Sequence, residues 1–137
     1  MIVHRFSLPK YEWEITAFII DRDIFPGIII SALMEAECPN STEMVQDILD
    51  AGYNAGLTFT NGELRCTIIV IGETTSAEEF QSTLDHEKGH AATHIALYND
   101  IDLTGETYQY LVGDIGRNLY HSCKELLCEH CRNKIYS

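Results

Sequence analysis

The rhythm of apolar residues changes once along the chain, near Gly72, and no other feature limits the fold as much. Before that point the apolar residues come in short runs rich in β-branched and aromatic types, Ile2–Leu8 and Trp13–Ile20, which predict strands. Asn61-Gly62 lies between two further runs, Gly56–Thr60 and Glu63–Gly72, and this dipeptide is a strong hairpin signal. Helices are predicted over Pro26–Cys38, with proline at the first turn, and from Ser41 or Thr42 to Leu49, ending near Gly52. After Gly72 the period becomes helical. Ser76 and Glu79 form a capping box, and Phe80, Leu84, Ala91 and Ile95 make one apolar stripe on a helix reaching Leu97. A loop, Tyr98–Thr104, leads to a last helix from Gly105 to beyond Leu127, whose stripe is Tyr108, Val112, Ile115, Leu119, Cys123 and Leu126.

Strands first and long helices second predict an α+β domain, in which a small sheet is packed against the helices. At 137 residues, with no linker or repeat, the whole chain 1–137 reads as one domain. The 21 acidic residues exceed the 9 Lys and Arg, giving a net charge of −12 that repels phosphate and argues against binding to nucleic acid or an anionic membrane. No apolar run reaches the roughly 20 residues of a membrane span. An odd number of cysteines, five, without an export signal, predicts reduced thiols and a cytoplasmic protein.

One motif carries chemistry: His86-Glu87-Lys88-Gly89-His90, in the middle of the helix that follows Gly72. Residues four apart on a helix are about 40° apart around its axis, so both imidazoles can reach one ion. Glu87 is expected on an adjoining part of the surface, where it can take a proton from a metal-bound water. Catalytic zinc normally has three protein ligands. Glu106, at the start of the next helix, is the preferred third. His94 is about 12 Å from His86 along the axis, too far to share an ion, and is expected nearby or at the surface. Asp102 lies in the connecting loop, and Asp114 is better suited to support a ligand histidine.

His86-Glu-Lys-Gly-His90 followed by Gly105-Glu106-Thr-Tyr-Gln-Tyr110-Leu-Val-Gly113 resembles the zincin metallopeptidases of the Glu-ligand branch, the gluzincins. It is especially similar to the very small HExxH proteins of bacteria, phages and mobile elements. The resemblance spans at most Phe80–Leu119. It implies a zincin-like domain: a small, mostly antiparallel sheet, an active-site helix packed on it and a second helix bringing the last ligand. It also implies a zinc-dependent peptidase acting on peptide or protein substrates, with His86, His90 and Glu106 as ligands and Glu87 as general base. Gluzincins have an Asp four residues beyond the ligand Glu; here that position is Tyr110. Zincins hold substrate along an edge strand, for which Leu64–Ile71 is the candidate. Gly113 and Gly116 would let the helices approach, and no oxyanion donor is singled out among Tyr98, Tyr108 and Tyr110. The chain is short for a deep cleft, which leaves room for a partner or second copy to complete it.

Two rival functions fit the same residues: a metal-binding accessory protein of a mobile element without hydrolytic activity, and an acidic protein-interaction module without metal. A second cluster, His121, Cys123, Cys128, His130 and Cys131, includes the C-x-x-C Cys128-Glu-His-Cys131. Cys123 belongs to the core stripe, and the others are expected to be incidental thiols, with metal or redox use as the alternative.

Overall fold

The computed structural model describes residues 1–136. Four strands form one sheet: β1 (Ile2–Leu8), β2 (Trp13–Ile19), β3 (Gly56–Asn61) and β4 (Cys66–Ile71). Their spatial order is β1-β2-β4-β3. The β1–β2 and β3–β4 pairs are antiparallel and the central β2–β4 pair is parallel, so the sheet is mixed. The parallel pair needs a crossover, supplied by α1 (Pro26–Glu35) and α2 (Ser41–Ala51). The chain continues through α3 (Ala77–Tyr98), α4 (Glu106–Cys123) and α5 (Glu129–Tyr136). The fold is α+β, with the sheet between helices.

Alternation along the central strands builds two cores. Trp13, Ile15, Ala17 and Ile19 of β2 and Ile69 and Ile71 of β4 face α3 and α4, and meet Phe80, Leu84, Ala91, Ile95, Ile115 and Leu119. The opposite face carries Phe18, Ile68 and Val70 against Ile29 and Leu33 of α1 and Val45 and Ile48 of α2. Strands buried on both faces read as continuous apolar runs, which is why Cys66–Ile71 shows no alternation in its sequence.

Four elements differ from their sequence-based expectation. The β3–β4 connection is a four-residue loop, Gly62–Arg65, and not a two-residue turn. Asn61 Oδ1 accepts from the Glu63 and Leu64 amides, and Arg65 takes a left-handed φ of 53°. Gly62 is required there by space, because a Cβ would lie 2.2 Å from the Tyr98 ring. Helix α1 stops at Glu35, since Glu37 is left-handed (φ 63°) and the Cys38 amide bonds back to Leu33 O. The long final helix is broken into α4 and α5 at Lys124–Cys128, a turn that sends Leu126 into the core. Lastly, β4 is an interior strand; the edge strand beside α3 is β3.

A buried polar chain links the sheet to α3. Trp13 Nε1 donates to Thr67 Oγ1 at 2.9 Å, Thr67 and Thr60 hydroxyls are 2.9 Å apart, and Thr60 Oγ1 is 2.9 Å from His94 Nδ1. Trp13 can only donate. Thr67→Val would leave the fully buried indole N–H without an acceptor, and is expected to lower unfolding free energy in urea by about 1–3 kcal/mol. Leu64→Ala, at an exposed position, is expected to stay within about 0.5 kcal/mol of the parent.

Candidate metal and hydrolytic site

Helix α3 begins where sequence predicts, with the Ser76 side chain accepting from the Glu79 amide at 3.0 Å. Its stripe Phe80, Leu84, Ala91 and Ile95 packs against the sheet. The motif sits midway along this anchored rod, so its orientation is set by the core below it.

His86 and His90 lie on an open flank, both exposed, with Nε2 atoms 3.1 Å apart and ring planes at 87°. Two nitrogens bound at 2.0–2.1 Å to a tetrahedral ion are separated by about 3.3 Å, so the pair has the spacing of two ligands of one ion. Glu87 does not reach the surface as expected. It is 5% exposed and turned to edge strand β3, where Oε1 and the Glu87 carbonyl both accept from Thr58 Oγ1, at 2.9 and 3.1 Å. The helical wheel explains this: at about 100° per residue Glu87 is only about 20° from Phe80, at the edge of the apolar stripe. That signal was present in the sequence.

Gly56 makes the burial of Glu87 possible. A Cβ on Gly56 would lie 2.8 Å from both Glu87 Cγ and Val70 O. Neither Gly56 nor Thr58 stands out in the sequence, because their role depends on the pairing of β3 with α3. Beside them is a cleft of about 280 Å³ lined by Asn54, Gly56, Glu79, Ser82, Thr83, His86 and Glu87. A roomier hollow of about 590 Å³ around Phe25, Pro26 and Ile28 is far poorer in chemistry, with Arg5, Ser31 and Glu35 its polar groups.

Glu106 is not brought to the histidine pair. Among the described residues no three His, Cys, Asp or Glu side chains are grouped so as to hold a metal ion. Two contacts give the reason. Gly116 of α4 lies against Lys88, whose Nζ would be 3.4 Å from a Cβ there, and Lys88 is about 160° around α3 from each histidine. The Thr93 and Tyr108 hydroxyls meet at 3.2 Å, which puts Glu106, before Tyr108 on an antiparallel helix, beyond Thr93 towards the end of α3. Helix α4 therefore packs on the far flank from the motif, and Glu106 is exposed at its start. The donor set thus fits an ion in its first two ligands and lacks the third.

The remaining candidates also lie elsewhere. Asp114 pairs with Arg117 at 2.8 Å, and Asp102 accepts from Thr104 in its loop. His94 is half-buried, its ring stacked 6.1 Å from His90; burial, then the neighbouring His90, lowers its affinity for a proton. Tyr98 packs edge-on to Trp13, Tyr108 meets Thr93, and Tyr110 is 69% exposed, so none of the three is drawn to the motif. Gly116 faces α3, whereas Gly113 has open space.

Comparison with known proteins finds no match: no family profile, no curated protein and no solved structure matches the chain. No helix is long and apolar enough to cross a membrane.

Gly56→Ala is expected to cost about 1–3 kcal/mol by forcing Glu87 or the β4 backbone to shift, read by urea unfolding. Thr58→Val, which removes the donor to Glu87 Oε1, is expected to cost a similar amount, whereas Thr42→Val on the exposed side of α2 is expected to be near neutral.

Proposed function

We propose that the chain is a zinc-dependent hydrolase of peptide bonds, with His86 and His90 holding the ion and Glu87 serving as the proton acceptor and later donor. The observation that carries this reading is the pair of imidazole nitrogens 3.1 Å apart, one of them on His86, which lines the same cleft as Glu87. When bound, zinc supplies a Lewis acid and lowers the pKa of a coordinated water. Thr58 fixes the Glu87 carboxylate through Oε1, which leaves Oε2 for a proton from the cleft. The edge of β3 lies beside Glu87 and pairs with β4 on one side only, so an extended peptide could add there by main-chain hydrogen bonds. We place the protein in the cytoplasm, on its five free cysteines and the expectation of reduced thiols.

A second reading, metal binding without hydrolysis, is favoured by one observation: the described residues offer no third donor. Metal analysis and peptide hydrolysis separate the two. His86→Ala and His90→Ala are each expected to abolish zinc retention during gel filtration. Glu87→Gln is expected to keep zinc while hydrolysis of a casein-type peptide mixture falls by about 10²–10⁴. Glu106→Gln is expected to leave zinc content unchanged, because α4 carries it on the far flank of α3. Zinc bound equally by all four variants would remove both metal readings, and hydrolysis undiminished in Glu87→Gln would remove the assigned base.

A further inference from the structure

The C-terminal C-x-x-C is built as a unit that the histidine site does not use. The Cys128 carbonyl accepts the Arg132 amide at 2.8 Å, which makes Cys128 the cap of α5 and Cys131 its third residue. Cys128 is exposed and Cys131 half-buried. The amides of Cys131 and His130 and the Cys131 thiol act on Cys128 to favour its thiolate. The two thiols thus stand at the start of one helix, three residues apart, the exposed one preceding the half-buried one. Other cysteines differ: Cys123 is fully buried and its thiol is pushed up to about 12 by desolvation, and burial raises Cys66.

The turn that presents this pair is anchored. Glu129 Oε2 accepts from the Ala77 amide at 2.9 Å, and the Arg132 guanidinium donates to Thr74 O while stacking 4.6 Å from the Tyr136 ring. Both bonds tie the start of α5 to the start of α3, so the helix end that faces Cys128 is held in place. No third His, Cys, Asp or Glu joins the two thiols in a metal-holding group among the described residues, which favours redox over metal chemistry.

We propose that Cys128 and Cys131 form a thiol–disulfide exchange site for an accessible disulfide, with Cys128 as the attacking sulfur and Cys131 as the resolving one. The Cys128 thiolate attacks one sulfur of the disulfide, forming a mixed disulfide and releasing one thiolate. Cys131 then loses its proton to solvent and attacks the Cys128 sulfur, releasing the second thiolate and leaving a Cys128–Cys131 disulfide. The substrate disulfide gains two electrons and the protein dithiol loses two. The amide and thiol donors favour the thiolate at Cys128 and hold its pKa below the ordinary thiol value, against the opposing charge of Glu129. Cys131 is held higher, first by its bond to Cys128, with Glu125 adding to this and Lys134 opposing it.

The test uses the reduced full chain with oxidised glutathione, quenched with acid and mapped by mass spectrometry. The parent is expected to lose two hydrogens as a Cys128–Cys131 disulfide and to retain no glutathione. Cys131→Ser is expected to trap one glutathione on Cys128, and Cys128→Ser to leave Cys131 unmodified over the same interval. Alkylation of Cys128 in the native chain should reach half its maximal rate below the pH of an ordinary thiol, while Cys123 stays unmodified. The parent measurement is decisive even if a variant fails to fold. Glutathione retained by the parent on either sulfur, or spread equally over Cys66, Cys128 and Cys131, would overturn the assignment.

Discussion

The hydrogen bond from Thr58 to Glu87 joins the edge of the sheet to the middle of α3, and the geometry of the motif follows from it. A buried carboxylate bordering an apolar stripe is costly unless it finds a donor, and β3 supplies one. Gly56 supplies the space, since any side chain there would collide with Glu87 or the β4 backbone. With Glu87 turned inward, the helix is fixed in rotation, so that His86 lines the cleft and His90 is exposed beside it. The same rotation directs Lys88 to α4, and so decides which flank of the motif helix is covered by the rest of the protein.

Much of this architecture is legible in sequence, because hydrophobic period and capping are local. The Ser76 cap, the stripe from Phe80 to Ile95 and the core position of Cys123 all stand where the pattern puts them. Failures occur where a distant partner decides the outcome. The hairpin signalled by Asn61-Gly62 is formed by β3 and β4, and what differs is its loop, four residues long with the Asn61 side chain accepting from two of its amides. An uninterrupted apolar period predicts one final helix, but the bonds of Glu129 and Arg132 to the start of α3 draw the last segment into a separate one.

The candidate site shows the same division. The spacing of His86 and His90 is a property of one helix and can be read directly. Glu106 belongs to another helix, and its spacing along the chain says nothing about which side of α3 that helix covers. Gly116 against Lys88 settles the matter, and neither residue signals it in advance. The inward turn of Glu87 could have been read from its place on the helical wheel, whereas Thr58 and Gly56 could be found only once β3 was paired.

The amide of Ala77 finds its acceptor on Glu129, 52 positions further along the chain. The opening turn of the histidine-bearing helix is thus finished by a side chain made well after it. During synthesis the Ala77 amide lacks this acceptor until α5 has docked, however well the interior of α3 is already seated on the sheet. Completion of that turn reports that the chain has been made, and has folded, as far as α5.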